Sequence, residues 1–361
     1  METLITTIPI NSQQFFVKSP PPFLEGTNDN LFYLEAHMAQ TNPTPLCFVG
    51  PKGTGKTLVV AYFASKHSIP IIQYDCSENT RKGDLIGRYV LRGDETAYQL
   101  GVLPSAIELA NEVGRAILVF EELNALAPNM QKQLNQLLDW RRHVFADNGK
   151  TYRLNQGAKL LICATMNPST YGGVFELNED LISRWANLNV NYPSIKLEEE
   201  IAQRNGFDCS ILPTVQIKNS TIGVHQITTK MIWKLVQETR AGKGLSYSLS
   251  TRDIVQFLTG YQDYLPSCLK KEAEDKKLIK YMNESLLFME SLFFTGEYPK
   301  HNEDKLRFQQ SDEFKLWTHG STNAFNMALY SFIIGKYQDP VEQKTIRQRI
   351  SSIFPPGILN E

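Results

Sequence analysis

A glycine-rich segment near the start of the chain has the residue types and spacing of a phosphate-binding loop. Residues 50–57 read GPKGTGKT and satisfy the pattern G-x-x-x-x-G-K-[ST], with an apolar run before them and a helical pattern after them. Glycines let backbone N–H groups converge on a phosphate without side-chain clash, and the following helix adds the positive end of its dipole. The segment therefore predicts a nucleotide site, and the alternative is a plain strand-to-helix turn.

The polar residues of this loop have distinct expected roles. We expect Lys56 to reach the β- and γ-phosphates and the Thr57 hydroxyl to bind Mg²⁺. The predicted nucleotide contacts are Gly50, Pro51, Lys52, Gly53, Thr54, Gly55, Lys56 and Thr57.

Two carboxylates follow the apolar run AILVF at residues 116–120. Acidic side chains at the end of a buried strand are costly unless they bind or react with something. We expect Glu121 in the Mg²⁺ shell, directly or through a water, and Glu122 to polarise the attacking water. The other interpretation is a solvated acidic loop.

A third polar position ends the apolar run that leads into CATMNP, residues 163–168. Asn167 is expected to hydrogen-bond the γ-phosphate or the attacking water. An asparagine that only caps the strand before Pro168 is the alternative.

Five short apolar runs separated by helical patterns predict the elements that position these residues. Runs that are apolar on both faces fit a parallel sheet covered on both sides, which predicts a doubly wound α/β fold. The runs are 46–50, 70–74, 116–120, 159–165 and 187–192. Two hairpins are expected within this unit, at 88–100 and, around an Asn-Gly turn, at 143–154.

The strand pattern ends near Pro193, and helical patterns follow at 196–205, 226–241 and 250–264. Ser250 to Asp253 is typical of a capped helix start. The predicted organisation is an N-terminal arm, an α/β nucleotide-binding domain, a small helical domain and a helical C-terminal extension without a motif. Their respective ranges are 1–30, 31–193, 194–268 and 269–361.

The amino-acid composition limits which classes of protein the chain can belong to. The 361 residues are 42% apolar and 21% charged, as in ordinary soluble domains, and the net charge of −1 argues against a generic electrostatic nucleic-acid binder. No apolar run approaches the ~20 residues of a membrane span, and the N-terminus lacks a secretory pattern. Five scattered cysteines without a CxxC pair suit a reducing compartment. These features predict a cytoplasmic protein.

The order of the three polar elements resembles that of the AAA+ ATPases, and four longer blocks resemble the MoxR group, which includes CbbQ/NorQ-like activators and GvpN proteins. The resemblance covers roughly residues 45–260. The blocks span 84–107, 117–139, 147–168 and 176–185. It implies a P-loop fold, ATP and Mg²⁺ as substrate and cofactor, and a homo-hexameric ring. It also implies remodelling of a client protein, often with a partner that carries a von Willebrand factor A domain.

The resemblance also assigns roles to two arginines and a hairpin. Arg184, in LISRW, matches the arginine finger that acts on the nucleotide of the neighbouring subunit, because a guanidinium can stabilise charge on the transferring phosphoryl group. The alternative is that it caps its own helix or pairs with Glu179 or Asp180. Arg252, in LSTRD, matches the second sensor arginine, and residues 88–99 match a hairpin that lines the ring pore.

Two other functions are compatible with the same residues. One is a nucleic-acid translocating motor, which the near-neutral charge and the lack of a recognised DNA-binding module disfavour. The other is a nucleotide-dependent assembly switch with little turnover.

Overall fold

The computed structural model describes residues 6–20, 22–26, 29–168, 175–208, 229–242, 244–275, 312–354 and 358–359. Two compact units make up the chain, Met1–Pro193 and Ser194–Glu361. In the first unit the strands are β1 (Thr6–Thr7), β2 (Leu46–Val49), β3 (Ile71–Asp75), β4 (Gly87–Arg92), β5 (Glu95–Leu100), β6 (Arg115–Glu121), β7 (His143–Phe145), β8 (Thr151–Arg153), β9 (Lys159–Met166) and β10 (Ala186–Asn189). Its helices are α1 (Asn30–Ala39), α2 (Lys56–Lys66), α3 (Lys82–Leu85), α4 (Val102–Val113), α5 (Pro128–Leu138) and α6 (Glu179–Ile182).

The first unit is built on a five-stranded parallel sheet, and the predicted α/β class is confirmed. The strand order is β10-β2-β9-β6-β3. Strand β9 therefore lies between β2, which leads into the glycine-rich loop, and β6, which ends at Glu121. Because all five strands run the same way, the residues that follow them meet at one edge of the sheet.

Alternation of side chains along the strands explains why both faces of the sheet are covered. On β6, Ile117 and Val119 belong to a core cluster shared with α1 and α2, whereas Leu118 and Phe120 belong to a cluster shared with α4 and α5. All four side chains are fully buried. Burying a side chain of this size stabilises the fold by about 1.5–3 kcal/mol relative to exposing it.

Both predicted hairpins are present. Strands β4 and β5 pair antiparallel through a turn at Gly93, and β7 pairs with β8 through a turn at Gly149. The N-terminal arm contributes more than the sequence indicated, because Thr6–Thr7 pairs parallel with β5 and adds a third strand to the first hairpin.

The second unit is helical in its described residues and has one core. Its helices are α7 (Ile195–Arg204), α8 (Thr229–Arg240), α9 (Thr251–Asp275), α10 (Asp312–Ala328) and α11 (Pro340–Ile353), with a π turn at 329–333 and a 3₁₀ turn at 334–336 before α11. Phe257 and Tyr261 of α9 pack edge to face on Phe325 of α10.

Helix α9 runs through residue 268, where the sequence placed a domain boundary, and α10 and α11 share its hydrophobic cluster. The apolar run at 286–294 lies outside the described residues. No helix within the described ranges is both long enough and apolar enough to cross a membrane.

Candidate active site

The glycine-rich loop joins β2 to α2, and two of its glycines are required by geometry. A Cβ on Gly50 would lie 1.9 Å from the carbonyl oxygen of Val190, so the residue after β10 approaches the loop too closely for any side chain. Gly55 has φ +86°, in the left-handed region that other residues rarely adopt. Helix α2 begins at the next residue, so the first N–H groups of this 11-residue helix face the loop.

The Lys56 side chain folds over this loop and reaches a neighbouring strand. Its Nζ donates to the carbonyl oxygens of Gly50 (2.8 Å) and Pro51 (2.7 Å) and to Oδ1 of Asn167 (3.2 Å). The ammonium group is half-buried. This position puts one positive charge between the loop and the end of β9.

The two predicted metal ligands are in direct contact. The Thr57 hydroxyl donates to Oε2 of Glu121 at 2.9 Å. Hydroxyl and carboxylate oxygens fit Mg²⁺, which is held by one or two carboxylates together with substrate phosphates and water. Within the described residues no group of three or more His, Cys, Asp or Glu side chains could hold a metal alone. Thr57 and Glu121 would therefore hold a Mg²⁺ that arrives with a phosphate ligand.

Glu122 has an unusual backbone conformation. Its φ and ψ are 51° and 51°, a left-handed conformation that costs a non-glycine residue roughly 1–3 kcal/mol. Its N–H donates to the Thr165 hydroxyl at 3.2 Å, and its carbonyl accepts from Ala125 at 2.7 Å. The Glu122 carboxylate then accepts from Nδ2 of Asn167 at 3.2 Å. Strain of this kind, held in place by neighbours, is typical of functional sites.

Asn167 connects the two charged residues of the site. Its Oδ1 accepts from Lys56 at 3.2 Å and its Nδ2 donates to Glu122 at 3.2 Å, while its own side chain is buried. The Lys56–Asn167–Glu122 chain thus crosses the edge of three adjacent strands, as the order β2-β9-β6 requires.

Three buried polar side chains in and around this network of hydrogen bonds were assigned no role from the sequence. Thr165 fixes the Glu122 turn, and Asn124 donates to the carbonyl of Asn167 at 2.9 Å. Gln131, fully buried on α5, donates to the carbonyls of Leu126 (3.0 Å) and Glu176 (3.3 Å). Thr165 is two residues before Asn167, and Asn124 is two residues after Glu122. This closeness in sequence was the one sign that they belong to the site.

Arg184 lies away from this chain of contacts. Its Nη1 is 3.9 Å from the carboxylate of Asp139, the residue that ends α5. It pairs with neither Glu179 nor Asp180 in the described part of the chain. A hydrogen bond from Arg141 (2.8 Å) holds the pKa of Asp139 at about 2, so this carboxylate is ionised near neutral pH.

Arg252 belongs to the second unit and is exposed in the first turn of α9. No carboxylate in the described residues forms an ion pair with it. An arginine in a first turn is disfavoured by the helix dipole unless it has an anionic partner.

Arg142, which follows α5, is buried. It has φ +45°, and its guanidinium donates to Oδ1 of Asn42 (2.9 Å), to the carbonyl of Leu137 (2.9 Å) and to the carbonyl of Pro43. Burial lowers the pKa of Arg142 to about 10. Trp140, two residues earlier, is 79% exposed.

Comparison with known proteins gives one family and several relatives. Residues 45–185 match the model described as "AAA domain (dynein-related subfamily)". Protein CbbQ of Hydrogenophilus thermoluteolus is 26% identical over 245 residues, which are 67% of this chain and 82% of that protein. Protein NorQ of Paracoccus denitrificans is 27% identical over 236 residues, 65% of this chain and 78% of that protein. BssE of Thauera aromatica, named as a candidate chaperone, is 24% identical over 247 residues, 67% and 78% of the two chains.

Proposed function

We propose that the chain is a MoxR-type AAA+ ATPase that couples Mg²⁺-dependent ATP hydrolysis to remodelling of a client protein, because residues 45–185 match the dynein-related AAA domain and CbbQ and NorQ are similar over about two thirds of the chain. The observation that supports this most directly is the Lys56–Asn167–Glu122 chain beside the Thr57–Glu121 pair. One edge of the sheet therefore carries a cation that could bind phosphate, two oxygen ligands for a metal and a carboxylate that could activate a water. ATP as substrate fits a cytoplasmic location.

In this proposal each side chain has one task in the displacement. Glu122 accepts a hydrogen bond from the attacking water and takes its proton as the oxygen bonds to the γ-phosphorus. The bond to the β,γ-bridging oxygen breaks, and ADP and phosphate leave. Lys56 offsets negative charge on the phosphates, and Asn167 holds the Glu122 and Lys56 side chains in position through its hydrogen bonds to both. Mg²⁺, when bound by Thr57 and Glu121, supplies further charge neutralisation.

A homo-hexameric ring would complete the site. Arg184 contacts Asp139 rather than the Lys56–Asn167–Glu122 chain of its own subunit, which supports a role on a neighbouring subunit's nucleotide. A guanidinium supplied in this way stabilises charge on the transferring phosphoryl group. Arg252 would contact a nucleotide phosphate in the same subunit or its neighbour.

The two hairpins are the proposed contact surface for the client. On β4, Leu91 is 80% exposed and Tyr89 is 47% exposed. The Tyr89 hydroxyl donates to the carbonyl of Asp147 (3.2 Å), and Lys82 pairs with the Asp147 carboxylate (2.6 Å). The turn of the second hairpin therefore supports the first. Exposed aliphatic and aromatic side chains favour a protein client, and the name of BssE agrees with a chaperone role, in which a von Willebrand factor A partner would take part.

The test is ATP turnover and ATP binding by Glu122→Gln, with Glu78→Gln as the matched control. Glu78 is exposed and forms no ion pair within the described residues. We expect turnover to fall by about 10²–10⁴-fold in Glu122→Gln, the range for a lost general base, with ATP binding retained. Glu78→Gln should match the wild type. Unchanged turnover in Glu122→Gln would falsify the assignment.

The trapped variant also separates the competing functions. With ATP bound, Glu122→Gln should retain a protein in pull-downs that is lost when Leu91 is replaced by Ser. Salt-dependent retention of single-stranded DNA on filters would indicate a nucleic-acid motor instead. Wild-type turnover at the background level, with ATP still bound, would indicate an assembly switch.

A further inference from the structure

The start of helix α9 is fixed on both sides of an exposed arginine. Thr251 and Asp253 are 6% and 3% exposed, whereas Arg252 between them is exposed. Ser250 and Asp253 form a reciprocal cap, since the N–H and hydroxyl of Ser250 donate to Asp253 at 2.9 and 2.7 Å and the N–H of Asp253 donates back at 3.3 Å. The backbone that carries Arg252 is therefore well defined.

The Asp253 carboxylate is held by residues beyond the helical cap. Lys336 lies 3.1 Å from its Oδ1, and the Tyr247 hydroxyl donates to its Oδ2 at 2.8 Å. Burial alone would raise the pKa of Asp253, but the hydrogen bonds from Ser250, Tyr247 and Lys336 outweigh it and keep the pKa below its ordinary value. Lys336 belongs to the 3₁₀ turn before α11 and is the charged partner of this carboxylate.

The loop before α9 is held by the same part of the C-terminal extension. The Tyr337 hydroxyl donates to the carbonyl of Tyr247 at 2.9 Å, and the two rings meet edge to face with centroids 6.2 Å apart. The Ser246 hydroxyl donates to the Glu342 carboxylate at 2.9 Å, and the Ser246 N–H donates to the same group. We call residues 336–342 the C-terminal clamp.

Residues of helices α7 and α8 also hold the first turn of α9 in place. The Glu198 carboxylate, in a residue that is 1% exposed, accepts hydrogen bonds from Nη2 and Nη1 of Arg240 at 2.6 and 3.1 Å and from the Thr251 hydroxyl at 2.6 Å. These hydrogen bonds fix Thr251 from one side, and the C-terminal clamp fixes Asp253 from the other. The exposed arginine lies between two buried, charge-assisted networks, which are the strong class of polar contact.

We infer that the C-terminal clamp is a positioning element for Arg252, so that residues near the end of the chain tune ATP hydrolysis. The inference rests on the proposed function, in which Arg252 contacts a nucleotide phosphate. Removing Lys336 leaves the buried Asp253 carboxylate without its cation, and a buried carboxylate that loses its partner draws in water or reorients. The first turn of α9 then shifts, and Arg252 shifts with it.

The first test compares Lys336→Met with Lys344→Met. Both remove one positive charge and keep an unbranched side chain, but Lys344 is exposed on α11 and contacts none of the residues around Arg252. We expect Lys336→Met to lower kcat on the order of tenfold, because small misplacements of a catalytic group cost factors of this size or more. Tyr337→Phe, which removes only one hydroxyl, should lower kcat about threefold by the same argument. Lys344→Met should leave kcat unchanged, and equal kcat in Lys336→Met and Lys344→Met would overturn the inference.

A double-mutant cycle separates positioning from general damage. In an Arg252→Ala background Lys336→Met should cause no further loss of kcat, because its effect acts through Arg252. The same fold loss in both backgrounds would overturn the inference. If Lys336→Met unfolds below the assay temperature, the cycle is run with Tyr337→Phe. Wild-type kcat in Arg252→Ala alone would overturn both the inference and the role of Arg252, while leaving the test on Glu122 unaffected.

Discussion

The Thr57 hydroxyl donates a hydrogen bond of 2.9 Å to the Glu121 carboxylate and so joins the first turn of α2 to the end of β6. The extra methylene of glutamate, compared with aspartate, spans this gap. The Thr57 hydroxyl oxygen and the Glu121 carboxylate oxygen, which would both bind the metal, are therefore already adjacent.

A metal role for this pair predicts a change in the Mg²⁺ requirement. Thr57→Val keeps the shape of the side chain and removes the hydroxyl, and Glu121→Asp shortens the carboxylate so that it no longer reaches Thr57. We expect each to raise the Mg²⁺ concentration for half-maximal ATP turnover by about tenfold, equivalent to about 1.4 kcal/mol of lost binding. Glu78→Gln serves as the control. An unchanged Mg²⁺ titration in both variants would exclude the pair as the metal site.

The amide of Asn167 predicts a different kinetic signature. Asn167→Ala breaks the link between Lys56 and Glu122, so we expect kcat to fall by about 10²–10³-fold with a small change in KM, as for loss of a preorganised polar group. Asn124→Ala should show a weaker effect in the same direction, because it removes only the support of the Asn167 backbone. Exposed Asn129 on α5 provides the control Asn129→Ala. A rise in KM at constant kcat would assign Asn167 to ground-state binding instead.

Substitutions at two adjacent arginines are predicted to lower stability by different amounts. Arg142→Met leaves the carbonyls of buried Pro43 and Leu137 without their donor, and unsatisfied buried groups cost about 1–3 kcal/mol each. Relief of the buried charge offsets part of this, so we expect a loss of about 2 kcal/mol in the free energy of unfolding. Arg141→Met removes a surface ion pair and should cost about 0–1 kcal/mol. Chemical denaturation of the two variants gives the comparison, and equal midpoints would contradict it.

The parts of the fold that local patterns encode were predictable from the sequence. The β2 and β6 runs are apolar on both faces, which predicted a parallel sheet. The Asn148-Gly149 pair predicted the turn of the second hairpin. The GPKGTGKT pattern identified the phosphate loop because Gly50 and Gly55 occupy positions where the backbone geometry excludes or disfavours other residues. The meeting of Lys56, Asn167 and Glu122 follows from the strand order.

Other features depend on contacts between distant segments and leave no local signal. The residues next to Arg142 in the sequence do not predict its burial, because two of its three acceptors lie at residues 42 and 43. The pairing of Thr6–Thr7 with β5 is too short for a periodic pattern. Lys336 and Asp253 are 83 residues apart, and nothing in either local sequence predicts their ion pair.

We propose that Arg184 of one subunit completes the site around Lys56 and Glu122 of the next. The most direct measurement is ATP turnover by mixtures of Arg184→Ala and Glu122→Gln, each nearly inactive alone. In a mixed ring, an Arg184→Ala subunit with an intact Glu122 can face a Glu122→Gln subunit that supplies Arg184. The account predicts that turnover rises on mixing and is greatest near equal proportions, whereas turnover that stays at the level of the separate variants at every ratio would contradict it.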